Sequence, residues 1–184
     1  MRLHVSSPSS LVPVLLVSWG LGLSGCSLVI DGAVDVEEGK AYRIASQSSG
    51  QVLSVAEGSP EEGASILQET DEGRAHQRWR FESAGGDAYY LVAEHSGRVL
   101  AVKDGRGTDG TPIVQETRRD AESQKWTLED AWDGSYYLLP RQNPYKALSI
   151  ENSSTSSGAR MVLLPFDPDF RDHRWLLEMS PTER

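Results

Sequence analysis

Gln77-Arg78-Trp79-Arg80-Phe81, Gln124-Lys125-Trp126-Thr127-Leu128 and His173-Arg174-Trp175-Leu176-Leu177 are three versions of one pattern, with successive tryptophans 47 and 49 residues apart. A fixed period of this length means one supersecondary unit repeated, none of whose copies can bury its apolar face alone. Outward from each tryptophan the same signals return in the same order. Tyr42-Arg43-Ile44, Tyr90-Leu91-Val92 and Tyr137-Leu138-Leu139 lie upstream, at spacings of 48 and 47 residues. Val52–Val55, Val99–Val102 and Ala147–Ile150 follow, and then Gly63–Gln68, Gly110–Gln115 and Gly158–Leu163. Short β-branched and aromatic runs bounded by Gly, Ser, Asn, Asp and Pro are the signature of strands and turns. Ser48-Ser49-Gly50 and Ser96-Gly97 separate the first and second runs, where a tight turn needs a residue tolerant of positive φ. No stretch beyond the amino-terminal region sustains a helical period. The expectation is an all-β domain of twelve strands over Lys40–Met179, in three four-strand units of about 47–49 residues.

Four strands per unit also suits propeller blades, but three blades fall below the usual four to eight. A Gln-x-Trp closing each of three units in register resembles the ricin B-type lectin family, whose fold is a β-trefoil, over nearly all of the chain after its leader. The third copy departs, with His173 in place of Gln. The resemblance implies that Trp79, Trp126 and Trp175 are core residues, and Tyr42, Tyr90 and Tyr137 read as core-facing strand residues.

The resemblance also implies where sugar would bind: an Asp late in the second strand, a ring soon after the Gln of the third, and polar groups at the Gln-x-Trp. A carboxylate accepts paired hydroxyl hydrogen bonds while an aromatic face covers the C–H side of the sugar. Here the Asp positions hold Ser54, Ala101 and Ser149, and the ring positions hold Thr70, Thr117 and Pro165. Gln68, Gln77, Gln115 and Gln124 keep amides able to reach hydroxyls, or to brace loops. Asp104 and Asp109 flank Gly105–Thr108 in the second unit and make it the best candidate for a shifted site, unless they only serve the turn. Trp132, Tyr145, Phe166 and Phe170 lie outside the repeated positions, so any of them can supply a ring to a displaced site.

The chain begins with Met1–Ser10, followed by the apolar run Leu11–Leu23, a length suited to the core of a signal peptide. Leu23-Ser24-Gly25-Cys26 resembles the bacterial lipobox, which implies cleavage after residue 25 and a diacylglyceryl thioether on Cys26 bearing acyl chains such as palmitate. Several buried chains, at roughly 0.8 kcal/mol per CH₂, hold a protein on a membrane where one does so only marginally. An uncleaved anchor over Leu11–Ile30 and an ordinary signal peptide with an incidental cysteine are the alternatives. Residues 26–39 then form a lipidated tether and 180–184 a short tail. By the same resemblance, Ser27 after the cysteine favours the outer membrane over the inner one.

Cys26 is the single cysteine, so no intramolecular disulfide can form. Net charge is −9, and without residues 1–25 it is −10, with 17 basic against 27 acidic residues. Binding to nucleic acid phosphates is disfavoured, because that affinity comes from Lys and Arg. His76, His95 and His173 lie in different units without metal-ligand spacing, and neither a nucleophile motif nor a phosphate loop is present. Asp167-Pro168-Asp169 with Asp172 lacks the spacing of a calcium loop. No metal, cofactor or catalytic residue is expected. The reading is a non-enzymatic, carbohydrate-binding module of an envelope lipoprotein with glycan partners; the alternative is a protein-interaction or structural lipoprotein whose trefoil has lost its sugar site.

Overall fold

The computed structural model describes residues 36–180. The leader, the lipidation candidate Cys26, most of the tether and the tail 181–184 lie outside them. The described residues form β1 (Ala41–Ser46), β2 (Val52–Val55), β3 (Ile66–Glu69), β4 (Trp79–Ser83), β5 (Ala88–Ala93), β6 (Val99–Val102), β7 (Ile113–Glu116), β8 (Trp126–Asp130), β9 (Tyr136–Pro140), β10 (Lys146–Ile150), β11 (Met161–Pro165) and β12 (Arg174–Met179). These are the twelve strands expected, joined by turns and single turns of 3-10 helix.

Six strands close on themselves. β1 pairs with β4, β4 with β5, β5 with β8, β8 with β9, β9 with β12 and β12 with β1, all antiparallel, so the barrel has no free edge. The other six form three hairpins, β2–β3, β6–β7 and β10–β11. Single bridges Ser65–Val114, Leu67–Arg160 and Pro112–Val162 link each hairpin to the next. Gly63, Gly110 and Gly158 sit at these junctions with φ of 82°, 76° and 88°, and their amides donate to the carbonyls of Gln115, Leu163 and Gln68. A side chain in that left-handed conformation is strained, which is why a glycine recurs there in each unit. This three-fold arrangement of barrel and hairpin cap is the β-trefoil.

One core serves all three units. Trp79, Trp126 and Trp175 are each 0% exposed, and their indole nitrogens donate to the carbonyls of Leu53 (2.9 Å), Leu100 (3.0 Å) and Leu148 (3.3 Å), one strand pair back in each unit. Val36 also packs against this core, while Gly39 donates to the Phe81 carbonyl and Ser83 donates to Glu38. The end of the predicted tether therefore lies along β4.

The tyrosine register needs correction. Strand pairing aligns Tyr42 with Trp79, Tyr89 with Trp126 and Tyr136 with Trp175, so the repeated positions are Tyr42, Tyr89 and Tyr136. Tyr90 and Tyr137 are buried but in small clusters outside the main core, because neighbouring strand residues face opposite sides of the barrel wall. Tyr90 donates to Asp120 beneath the Arg118 guanidinium, and Tyr137 donates to the Pro168 carbonyl while packing edge-on against Phe166.

Candidate functional site

Each unit has the same local plan: a strand pair, a loop, and a 3-10 turn leading into the tryptophan strand. Gln77 and Gln124 end such turns and are 2% and 0% exposed. Gln77 accepts from the amides of Glu72 and Arg74 and donates to the Thr70 carbonyl; Gln124 accepts from the Arg119 amide and donates to the Thr117 carbonyl. Both therefore brace the loop that precedes the tryptophan. A buried amide in this setting saturates the backbone groups a loop cannot pair by itself.

Gln68 and Gln115 act between units. Each is 0% exposed. Gln68 donates to the carbonyls of Ser154 and Ser156 and accepts from Ser49, and Gln115 donates to those of Ser59 and Glu61 and accepts from Ser96. Both amide hydrogens are committed, so neither residue has a donor to offer a ligand. In the third unit Leu163 holds this place. Asp104 is exposed at φ 55°, with its carboxylate 3.9 Å from Arg106, and lines a shallow cleft of about 310 Å³ with Asp109, which pairs with Lys146.

The carboxylate missing from β2 is supplied by β3. Ser54, fully buried, donates to Glu69 Oε2 at 2.5 Å, and Glu69 lines a cleft of about 560 Å³ between the first unit and Ser157 of the third. Glu57, Thr70, Glu72, Arg74, Ala75, His76 and the sequence candidate Gln77 complete its walls. Burial holds the His76 imidazole below its ordinary value; its ring meets His95 edge-on with centroids 6.0 Å apart. In the second unit Ala101 offers no hydroxyl, and Glu116 is held instead by Gln124 Nε2 at 3.0 Å and by Arg119 at 3.9 Å. In the third unit the buried Ser149 pairs with Val162, and Leu164 stands where the first unit has Glu69, so no carboxylate lies at that place. Sequence reasoning passed over Glu69 and Glu116 because it sought the acid on the neighbouring strand. The available signal was the repeated Gln-Glu-Thr of residues 68–70 and 115–117.

Among the described residues, no group of three or more His, Cys, Asp and Glu side chains is placed to hold a metal ion, and no helix is long and apolar enough to cross a membrane.

No curated protein sequence matches the chain. Among solved structures it is similar to the designed three-fold symmetric protein ThreeFoil, with 33% identity and a TM-score of 0.73 over 77% of this chain and 99% of that one. An exo-β-1,3-galactanase from Clostridium thermocellum shares 30% identity with a TM-score of 0.75; 79% of this chain is covered but only 31% of the galactanase, so the likeness spans about a third of that protein. The Macrolepiota procera ricin B-like lectin, solved with lactose, shares the fold at 19% identity and a TM-score of 0.68, over 80% of this chain and all of that one. The sequence profile of the ricin-type β-trefoil lectin domain-like family matches residues 29–116 and 91–164, and the chain belongs to that family.

Proposed function

We propose that the chain is a non-enzymatic carbohydrate-binding module carried by a membrane-anchored envelope lipoprotein. The observation that carries the binding half is Glu69, seated on the Ser54 hydroxyl in the first-unit cleft. A carboxylate fixed from behind by a buried hydroxyl keeps its remaining lone pairs for two sugar hydroxyls. The cleft volume falls within the range of small-ligand sites. Glu116, fixed by Gln124, repeats the arrangement in the second unit. The Macrolepiota procera lectin carries lactose on the same fold, which supports a glycan as ligand.

The anchoring half rests on Leu23-Ser24-Gly25-Cys26. Nine residues separate Cys26 from Val36, where the described structure starts, and the ten steps between them reach at most about 36 Å when extended. A lipid on Cys26 thus keeps the trefoil close to the envelope membrane, with the outer membrane favoured by Ser27.

A glycan array probed with the detergent-solubilised chain tests the binding. Signal on a subset of glycans that drops about tenfold in Glu69→Gln, without a change in fold, is expected; tenfold corresponds to about 1.4 kcal/mol, close to the lower end of the range for one hydrogen bond to a charged group. No signal above a Trp126→Ala control overturns the reading. Envelope proteins that then stay bound through washes with mixed sugars favour the protein-interaction alternative.

A further inference from the structure

Trp132 (83%), Tyr145 (81%) and Phe170 (37%) are the large aromatic side chains exposed among the described residues, and all three border the third unit. This is the unit without a carboxylate at the cleft position. The three rings sit on loops that are bonded to one another. Arg174 donates to Asp133, beside Trp132, at 2.9 Å and to the Pro168 carbonyl, close to Phe170, at 2.7 Å. The Phe166 amide in turn donates to the Tyr145 carbonyl at 2.9 Å.

The turn that carries Trp132 and the ring of Phe170 are held firmly. Trp132 has φ 63°, a left-handed conformation rare for a bulky residue and retained only where the surroundings over-determine it. Asp130 accepts from the Trp132 amide at 2.6 Å, and Asp133 on the other side accepts from Ser135, Gln47 and Arg174. Phe170 packs edge-on against the buried His173 with ring centroids 5.0 Å apart. An exposed indole on a clamped, strained turn contributes nothing to the core, since it touches none of it.

We propose that this face is a second glycan-binding surface, independent of the clefts, which takes an uncharged polysaccharide by stacking sugar rings on Trp132, Tyr145 and Phe170. The apolar C–H faces of pyranose rings match aromatic faces. Exposed Asp167 and Asp169 lie between the rings in the chain and accept hydroxyl hydrogen bonds. The same acids, with the net charge of −9, disfavour anionic lipid and phosphate-bearing polymers, leaving a neutral chain as the occupant.

Trp79, Trp126 and Trp175 are fully buried and Trp19 belongs to the leader segment, so the difference in emission between the chain and a Trp132→Phe chain reports this face. The detergent-solubilised full chain is titrated with soluble neutral polysaccharides, a β-glucan, a galactan and a galactomannan. A blue shift with at least one of them is expected, and the affinity for it, measured by titration calorimetry, falls about tenfold in Trp132→Ala and in Tyr145→Ala. The shift persists in a Glu69→Gln, Glu116→Gln double variant. No shift with any of the three overturns the proposal. So does affinity unchanged when all three rings are replaced by Ala, loss of the shift in the cleft double variant, or a shift given only by phosphatidylglycerol vesicles.

Discussion

The side-chain nitrogen of Gln68 lies 2.7 Å from the carbonyl oxygen of Ser154, 86 residues later, and ties the hairpin of the first unit to the third-unit loop. Gln115 makes the equivalent bond to Ser59 at 2.8 Å, joining the second unit to the first. These are contacts that assemble the cap rather than contacts for a ligand. Gln68→Ala and Gln115→Ala are each expected to lower unfolding free energy by about 1–3 kcal/mol, the usual result of orphaning buried polar groups. Urea denaturation followed by far-ultraviolet circular dichroism measures it; a change under 0.5 kcal/mol in both would remove the bracing role.

The three tryptophans combine packing with a hydrogen bond to a buried carbonyl. Trp126→Ala is expected to cost roughly 3–5 kcal/mol and Trp126→Phe less, about 1–3 kcal/mol from the unpaired Leu100 carbonyl and the smaller ring. Thermal unfolding of the two variants checks the order. Equal effects would mean that the indole nitrogen adds nothing.

Acid sensitivity should come from His173. Burial holds its imidazole below the ordinary value, against the opposing pull of the Asp167 carbonyl and the neighbouring carboxylates. The folded chain therefore keeps it neutral at pH values where the unfolded chain, titrating near 6.5, is protonated. Because the unfolded state binds the extra proton, stability is full above about pH 6.5 and is lost as pH falls from there towards the folded-state value. His76 acts in the same direction. His173→Gln, which restores the residue of the other two units, is expected to flatten the pH 7 to 5 dependence of the melting temperature. An unchanged slope would assign the effect elsewhere.

Cys26→Ala is expected to release the chain from membranes and to abolish incorporation of labelled palmitate. Retention at the membrane with an intact amino terminus would identify an uncleaved anchor.

Fold class was legible from the spacing of Trp79, Trp126 and Trp175, because a long period survives substitution at single positions. The tyrosines show the limit of that reading. Tyr89-Tyr90 and Tyr136-Tyr137 each offer two candidates for one repeated position, and strand residues alternate faces, so a slip of one residue exchanges the main core for a small buried cluster on the other side of the barrel wall. The roles of the glutamines were similarly open. An amide serves a loop or a sugar equally well, and only the positions of Ser154, Ser156, Ser59 and Glu61 around Gln68 and Gln115 decide between them.

The amino-acid sequence by itself determined that three equivalent units share one core, since each unit carries a third of the apolar positions and none suffices alone. Only the tertiary structure decided what surrounds each polar group. It placed Glu69 on the hydroxyl of Ser54 from the adjacent strand, and it tied the loops of Trp132 and Phe170 together through Arg174 and that of Tyr145 to them through the Phe166 amide. Such neighbours come from strand register and from hydrogen bonds between loops far apart in the chain, and a one-dimensional period carries neither.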